Sequence, residues 1–181
     1  MTDDLTFTYL EALPGEGAAL QAKLVSLGAP GGHVLAGNHY PEYFVVLETD
    51  GPGTNLNLQN LLASAPDQRH HKALTTSGSL SDLSDGMMVV THVDIVPAHK
   101  NEGTALITNH VAQSAAHTGC LFMGAYAQSD RHNHMTLLEW WSDAGALSGH
   151  KRHPDTVAFR SDVLPLCGSL YDERFCSRLS T

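Results

Sequence analysis

The distribution of apolar residues predicts four strands in the second half of the chain. Residues 87–96 are rich in Val, Thr and Ile, which is typical of a strand. Residues 120–128 and 134–141 are two more apolar stretches, and the polar residues between them predict a hairpin turn. Residues 169–175 form the last predicted strand.

Helix signals lie between these strands. Pro97 predicts the start of a helix, because its missing N–H costs nothing in a first turn, and Gly119 predicts the end of that helix. A second helical region is predicted in two parts, one ending at His150 and one running from Pro154 to Leu164. The resulting order, β-α-β-β-α-β, is that of a ferredoxin-like unit.

The first half of the chain resembles the second. Five pairs of stretches match in the same order: residues 10–20 with 93–106, 31–37 with 118–124, 44–50 with 135–141, 65–67 with 153–155, and 77–80 with 167–170. Glu48 thereby matches Glu139. We interpret the chain as two divergent copies of a unit of roughly 90 residues, the first with a shorter first helix and a Gly-Pro-Gly insertion at 51–53. The expected domains are residues 1–84 and 85–181.

Composition excludes several classes of protein. Hydrophobic residues make up 42% of the 181 residues and charged residues only 16%, which argues against disorder. The chain carries a formal net charge of −9, so a nucleic acid is not an expected partner. The sequence contains no apolar run of about 18 residues and begins with an acidic stretch rather than a signal peptide. We therefore expect a cytoplasmic protein without a membrane segment.

Several residues of the second half resemble the antibiotic-biosynthesis-monooxygenase family over about residues 87–175. The residues that carry the resemblance are Gly119, Cys120, Glu139, Trp141, Ala146, Leu147 and His150. Members of that family are ferredoxin-like proteins that pair their sheets into a dimeric α/β barrel. The family includes cofactor-free oxygenases, quinol oxygenases and haem-degrading enzymes, so the resemblance implies a fold more specifically than it implies a reaction.

A physical argument links the resemblance to the repeat. One face of a four-stranded ferredoxin-like sheet is covered by its own helices, and the other face must be buried elsewhere. Two units in one chain can bury those faces against each other. The expected fold class is therefore α+β, with two tandem ferredoxin-like units forming an intramolecular α/β barrel of antiparallel sheets. A further homodimer is also possible.

Two histidines are the candidate catalytic residues. His92 lies in the middle of a strand, on the same face as Met88 and Val90, where it is either a satisfied core histidine or a general base near neutral pH. His150 lies at a helix end, where the helix dipole alone could explain it. The resemblance implies a pocket between the sheet and helices of the unit, with His150 overhanging it. We expect His92 and His150 to face each other across that pocket.

Aromatic residues are the candidate substrate-binding groups. Phe122 and Tyr126 share one face of a strand, and we expect them to line the pocket together with Trp141. Trp140 and Trp141 should point to opposite faces, one into the barrel core and the other toward the pocket. His153 belongs to a basic cluster that either holds an acidic ligand or is simply solvated. The matched positions in the first half are Tyr9 for His92, Leu62 for His150 and Asp50 for Trp141, so we expect at most one working pocket.

Two functions remain open from the sequence. The first is a cofactor-independent monooxygenase that removes a proton from a small phenolic, quinol or polyketide-like substrate and lets the anion react with O₂. The second is a non-catalytic barrel that binds a small hydrophobic or aromatic molecule or haem, with His92, His150 or His153 as axial ligand. The sequence contains no metal-binding motif and no flavin or nicotinamide fingerprint. A Glu inside each third strand, Glu48 or Glu139, is interpreted as structural.

Overall fold

Alternating apolar residues build eight β-strands in the computed structural model. The model describes residues 4–27, 32–37, 42–49, 57–58, 60–82 and 85–179. The strands are β1 (Leu5–Glu11), β2 (Gly32–Gly37), β3 (Tyr43–Thr49), β4 (Asp67–Ser77), β5 (Met87–Asp94), β6 (Cys120–Gln128), β7 (His134–Trp141) and β8 (Asp172–Arg178). The α-helices among the described residues are α1 (Gly17–Leu27), α2 (Lys100–Ser114), α3 (Ala144–Arg152) and α4 (Pro154–Val163). None of the described helices is long and apolar enough to cross a membrane.

The strands close into one antiparallel barrel with the order β1-β3-β2-β8-β5-β7-β6-β4. Within the first half the order is β4-β1-β3-β2, and within the second half it is the corresponding β8-β5-β7-β6. The two halves join where β2 pairs with β8 and where β4 pairs with β6. This confirms the predicted fold class of two ferredoxin-like units that form an intramolecular α/β barrel.

Strand register relates the two halves residue by residue in their first and third strands. Glu48 pairs opposite Thr6 on β1, and Glu139 pairs opposite Val89 at the corresponding place on β5. The two glutamates therefore occupy equivalent positions, as their sequence match predicts. The domain boundary after residue 84 stays a prediction, because residues 83 and 84 lie outside the described part of the chain.

Other predicted matches between the halves are wrong. The pair 65–67 and 153–155 falls on different elements, since Asp67 begins a strand and Pro154 begins a helix. The pair 77–80 and 167–170 also differs, because Ser77 ends β4 whereas residues 167–170 precede β8. Leu62 bridges to Ala12 just as Cys167 bridges to Ile95, so Leu62 corresponds to Cys167 and not to His150. Asp50 and the insertion at 51–53 lie outside the described residues.

The barrel interior is an apolar core to which both halves contribute. Its buried members are Leu5, Phe7, Tyr9, Leu35, Val45, Leu47, Met88, Val90, Phe122, Tyr126, Leu138, Trp140 and Cys176. Burying one large apolar side chain contributes about 1.5–3 kcal/mol, so this shared core dominates the association of the halves. Trp140 lies in this core and Trp141 in a cluster on the opposite face, as the strand alternation predicts.

Helices cover the outer face of the barrel. In the second half, α2 and α4 pack on residues of β6 and β7 such as Met123 and Leu137, and Ile107 and Phe159 are their buried contacts. In the first half, α1 packs through Leu20 and Leu24 on its own sheet. Between β3 and β4, the described residues 57–58 and 60–66 form turns rather than the second helix that the repeat predicts.

Candidate active site

The helix α3 brings a histidine onto the outer face of β7. Asp143 begins the helix as its N-cap, because its Oδ1 accepts a hydrogen bond of 2.9 Å from the Ala146 amide. Leu147 and His150, three residues apart, lie on the buried side of the helix. The strand supplies Glu139 and Trp141, which point to the same face because they are two residues apart. These elements place His150 over Glu139 and Trp141.

His150 is held from several sides and is only 4% exposed. Its ring stacks on Trp141 with 4.4 Å between the ring centroids. Its Nδ1 lies 3.0 Å from Nδ1 of His117 and 3.2 Å from the Thr156 hydroxyl. Its Nε2 lies 3.6 Å from Oε2 of Glu139. Both ring nitrogens therefore have polar neighbours, one toward His117 and one toward the buried carboxyl.

Glu139 is a buried carboxyl group with an unusual proton affinity. Trp141 Nε1 donates a 2.9 Å hydrogen bond to its Oε2, and the residue is 3% exposed. Burial raises the pKa of Glu139 to about 7, and the hydrogen bond from Trp141 opposes that rise. The group therefore gains and loses a proton in the pH range where many general bases work.

The histidines of this region are uncharged at neutral pH. Burial, together with the neighbouring His110 and His117, lowers the pKa of His150 to about 3. Burial likewise lowers the pKa of His110, which stacks on Phe159 at 3.9 Å, to about 3. Burial also lowers the pKa of His117. A proton delivered to the cluster therefore rests on Glu139 rather than on an imidazole.

A cavity of about 510 Å³ opens beside His150, between α3 and the end of α2. We call it the helix-side pocket, and it is lined by Ala116, His117, Thr118, Gly119, Ser142, Asp143, Gly145, Ala146, Gly149, His150 and His153. Gly119 has a φ of +79°, and a Cβ there would lie 2.5 Å from the Cβ of Ala146. A larger residue at that position would therefore strain the backbone and push against α3.

One group of side chains in this region could offer ligand atoms to a metal ion. His117, His153 and Asp155 place one such atom each within 4.8 Å of one another. Asp155 Oδ2 lies 3.8 Å from His117 Nε2 and 3.5 Å from His153 Nδ1. However, His153 Nδ1 already accepts a hydrogen bond from the Asp155 amide as the N-cap of α4. We therefore interpret the trio as a polar contact that closes the junction between α3 and α4.

The structure brings together only part of the predicted site. His150 and His153 line the helix-side pocket, and Trp141 lies behind His150. His92 instead contacts Tyr9, a barrel-core residue, with 5.1 Å between ring centroids. The expected arrangement of His92 facing His150 across one pocket is therefore wrong. The physical reason is strand alternation, since His92 shares the face of Met88 and Val90, which point into the barrel.

The predicted aromatic wall is divided in the same way. Phe122 and Tyr126 share a face, as predicted, but that face is the barrel interior and they are 2% and 1% exposed. Trp141 lies on the opposite face, in a cluster with Val89 and Leu147. The helix-side pocket therefore lacks Phe122 and Tyr126, and Trp141 does not line it either, because Trp141 is fully buried behind the His150 ring.

Sequence reasoning missed four members of the cluster, namely His110, Ser114, His117 and Thr156. His117 lies in the turn after α2, and His110 and Ser114 lie one helical turn apart with 3.3 Å between Nδ1 and the hydroxyl. A signal for His110 was present, since it shares one face of α2 with Leu106. His117 carried none, because it lies beyond the end of that helix. Thr156 carried no signal, because its contact with His150 depends on the bend between α3 and α4.

The fold and the pocket together define a class of ferredoxin-like barrel with a helix-covered pocket in its second unit. Residues 86–162 match the family model described as antibiotic biosynthesis monooxygenase. This confirms the resemblance inferred from the sequence. No curated protein matches the chain.

Solved structures share the fold over nearly the whole chain. A monooxygenase candidate from Fusobacterium nucleatum superposes with a TM-score of 0.84 at 11% identity, covering 99% of this chain and 93% of that one. An anthrone oxidase-like protein gives a TM-score of 0.74 at 10% identity, with coverage of 99% and 92%. A haem-degrading enzyme from Listeria monocytogenes gives 0.62 at 11% identity, with coverage of 96% and 98%. Similarity at this level of identity establishes the fold alone.

Proposed function

We propose that the chain is a cofactor-independent monooxygenase that oxidises a small phenolic, quinol or polyketide-like molecule with O₂ in the helix-side pocket. The observation that supports this most directly is the connection from the pocket through His117 and His150 to the buried carboxyl of Glu139. The family match of the second half and the anthrone oxidase-like fold neighbour agree with it. The cytoplasmic location and a further homodimer stay predictions.

The first chemical step is removal of a proton from the substrate hydroxyl. With Glu139 ionised, His150 presents Nε2–H to the carboxylate and accepts at Nδ1 from Nδ1–H of His117. Nε2 of His117 then carries a lone pair. This atom is buried, with Asp155 Oδ2 3.8 Å away, so it takes the substrate proton only after the substrate has entered beside it. Each imidazole passes on the proton of its other nitrogen, and Glu139 ends as the neutral acid. His150 is thus a catalytic relay, and Glu139 is the final acceptor.

The second step is the reaction with O₂. The substrate anion gives one electron to O₂, and the two radicals combine as a carbon-bound peroxide anion. This anion takes back through the relay the proton that Glu139 holds, which gives the hydroperoxide and restores the carboxylate. Loss of water from that peroxide leaves a carbonyl, so one CH₂ group and one O₂ give one C=O and one H₂O. The pocket contributes orientation, exclusion of bulk water and stabilisation of the anion by neutral hydrogen-bonding groups rather than charged ones.

An oxygen electrode tests this proposal. Purified protein is given anthrone and a panel of quinols, with ¹⁸O₂ used to follow the label into product and water. We expect one O₂ consumed per substrate and one labelled atom retained in the product. Glu139→Gln, which keeps the acceptor for Trp141 but cannot ionise, should lower kcat by about a hundredfold or more. His150→Ala should lower it similarly.

Glu48→Gln is the matched control, because it makes the same change at the equivalent position of the first half. That variant should keep the wild-type rate. If Glu139→Gln and His150→Ala retain full activity on a substrate that the wild type oxidises, the relay is disproved. If no member of the panel is oxidised while O₂ and protein are intact, the oxygenase function loses its support.

A non-catalytic small-molecule or haem-binding role is the alternative, and one observation favours it. His153 lines the pocket, and because its Nδ1 caps α4, its Nε2 is the nitrogen left to meet a ligand. An imidazole of this kind can serve as an axial ligand of haem iron. Addition of haem to the protein should then give a Soret shift that His153→Ala abolishes, whereas His132→Ala, an exposed histidine in a hairpin turn, should not affect it.

A further inference from the structure

A buried hydroxyl group contacts the relay, which runs from His117 through His150 to Glu139, without a part in the steps above. Thr156 lies in the first turn of α4 and is 1% exposed. Its Oγ1 lies 3.2 Å from Nδ1 of His150, and this is the one hydrogen bond that the hydroxyl makes to the described residues. The contact therefore joins α4 to the histidine in the middle of the relay.

The direction of this hydrogen bond follows from the groups around His150. Burial keeps the ring uncharged at neutral pH, so one ring nitrogen carries a hydrogen and the other a lone pair. When Glu139 is ionised, its carboxylate lies 3.6 Å from Nε2 of His150 and can only accept, so Nε2 carries the hydrogen. Nδ1 then carries the lone pair, and the Thr156 hydroxyl donates to it.

His117 is a second donor to the same nitrogen, but only in one of its tautomers. Its Nδ1 lies 3.0 Å from Nδ1 of His150. Its Nε2 lies 3.8 Å from Oδ2 of Asp155, and that carboxyl group favours a hydrogen on Nε2, which leaves a lone pair on Nδ1. The Thr156 hydroxyl is therefore the donor to His150 that does not depend on the tautomer of His117.

The hydroxyl acts on Glu139 through the imidazole ring. With Glu139 ionised, Thr156 donates to Nδ1 of His150, and Nε2–H of the same ring faces the carboxylate. Such contacts are stronger when they end on a charged group, and each donor in the chain polarises the next. With Glu139 protonated, the hydroxyl oxygen accepts from Nδ1–H instead, and the chain carries no charge. Loss of the hydroxyl therefore costs the carboxylate form more than the acid form.

Other charged and titratable groups also act on this pair. They face Glu139 and His150 from the strands, helices and turns packed around them, and they are His110, His117, Cys120, Lys151, His153, Arg160, Tyr171 and Glu173. A substitution of Thr156 leaves all of them in the chain. A difference between Thr156 variants therefore isolates the effect of the hydroxyl.

We propose that Thr156 is a positioning residue of the relay, whose hydroxyl donates to Nδ1 of His150 and so turns Nε2–H toward the carboxylate of Glu139. Thr156 thereby favours the ionised form of Glu139, from which removal of the substrate proton starts. This inference rests on the relay of the proposed oxygenase, but the effect on Glu139 exists without a substrate. Loss of the hydroxyl should raise the pKa of Glu139.

The indole signals of the two tryptophans in a ¹H–¹⁵N spectrum test this on the full chain without a substrate. Trp141 Nε1–H donates to Oε2 of Glu139, so its signal should follow the ionisation of Glu139 with a midpoint near pH 7. Trp140 lies on the opposite face, and its Nε1 has no hydrogen-bond partner among the described residues, so its signal is the internal control. Glu139→Gln should remove the titration of the Trp141 signal.

Thr156→Val removes the hydroxyl and keeps the shape of the side chain. It should raise the Trp141 midpoint by about half a pH unit. Thr156→Ser, which keeps a hydroxyl, should restore the wild-type midpoint. Ser114→Ala is the matched control, because it removes a buried hydroxyl 3.3 Å from Nδ1 of His110, a histidine outside the relay, and it should leave the midpoint unchanged. If the valine variant does not fold, Thr156→Ala removes the same hydroxyl.

The oxidation of a confirmed substrate gives a second readout. Activity requires ionised Glu139, so kcat should fall on the acidic side, and in Thr156→Val this fall should begin at a higher pH. At about pH 6 the variant should be about threefold slower than the wild type, whereas at about pH 9 the two should agree within about twofold, with KM unchanged. A loss of packing alone would lower kcat at every pH.

The outcomes separate this proposal from the oxygenase function. If the Trp141 midpoint in Thr156→Val is unchanged or lower, the role of Thr156 is overturned and the relay stands. If the midpoint rises but no substrate is oxidised, the action of Thr156 on Glu139 is supported and the oxygenase function loses its support. If the wild-type Trp141 signal does not titrate between about pH 5 and pH 9, Glu139 does not ionise there and both proposals fail.

Discussion

Glu139 is a carboxylic acid in a place where a negative charge is costly. It is almost completely buried, and its neighbours are a tryptophan N–H and an uncharged imidazole rather than a cation in direct contact. The same desolvation that raises its pKa to about 7 is what suits it to accept a proton from a weakly acidic substrate. Burial of the Glu139 carboxyl group therefore suits it to the proposed proton transfer and also makes its ionised form destabilising to the fold.

The stability of the protein should reflect this raised pKa. Glu139 has a pKa of about 7 in the folded protein against an ordinary value of 4.5, so the folded state binds more protons between these pH values. The free energy of unfolding therefore falls by at most about 3 kcal/mol as the pH rises from about 4.5 to 7. Glu139→Gln should remove this loss. Urea unfolding at several pH values measures it, with the exposed Glu102→Gln as control.

The buried histidines should act in the opposite direction. Burial lowers the pKa of His71 and His92 to about 4 and that of His110 and His150 to about 3, against an ordinary value of 6.5. Below about pH 6.5 these histidines bind protons in the unfolded chain but not in the folded protein. The free energy of unfolding therefore falls as the pH drops. Each histidine contributes up to about 1.4 kcal/mol per pH unit. Replacing one, as in His110→Leu, should reduce the measured slope by about one proton, and an unchanged slope would contradict the assignment.

At the scale of elements, two glycines of the helix-side pocket make a matched test. Gly119 ends the turn after α2 with a φ of +79°, and a Cβ there would meet both Ala146 and Ser142. Gly149 lies within α3, and a Cβ there would meet nothing within 4 Å. Gly149→Ala should therefore stabilise the protein by about 0.5–1 kcal/mol, whereas Gly119→Ala should destabilise it by about 1–2 kcal/mol. Thermal unfolding of the two variants checks this, and equal shifts of the same sign would contradict it.

The elements of the second half could be predicted closely from the sequence. β6 and β7 run over residues 120–128 and 134–141, as their apolar stretches predict, because polar turn residues mark their ends. The alternation also identified which residues share a face, as for His92 with Met88. It could not identify which face meets the helices, since both faces of a sheet in this barrel are buried. That missing information is why His92, Phe122 and Tyr126 were placed in the wrong pocket.

The elements of the first half are harder to predict. A short sequence match between the halves does not determine strand register, so the two segments can be misaligned. The match of Glu48 with Glu139 is reproduced by the pairing of the strands. The matches at 65–67 and 77–80 are not, because β4 begins at Asp67 where the second half has the helix α4. The central contact of the site, His117 with His150, joins residues 33 positions apart in sequence. No local pattern encodes such a contact, and only the packing of α3 against the end of α2 creates it.

At the scale of the whole molecule, the barrel joins two halves that depend on each other. Every strand has a neighbour on both sides, and β2–β8 and β4–β6 are pairings between halves. Closure removes the exposed strand edges that promote aggregation. It also creates two separate environments in the second half, the barrel interior and the helix-covered face.

The dependence of the halves predicts the behaviour of residues 85–181 alone. Removing the first half would expose seven core residues of the second, namely Met88, Val90, Phe122, Tyr126, Leu138, Trp140 and Cys176. At about 1.5–3 kcal/mol each, their lost burial is of order 10–20 kcal/mol, comparable with or above the total stability of an ordinary domain. The fragment should therefore be unfolded as a monomer or should form a dimer. In that dimer, β6 of one copy would take the place of β2 against β8 of the other, since β2 and β6 hold equivalent positions in the two halves. Sedimentation of the fragment beside the full chain measures this, and a folded monomer would show that the second half does not need the barrel.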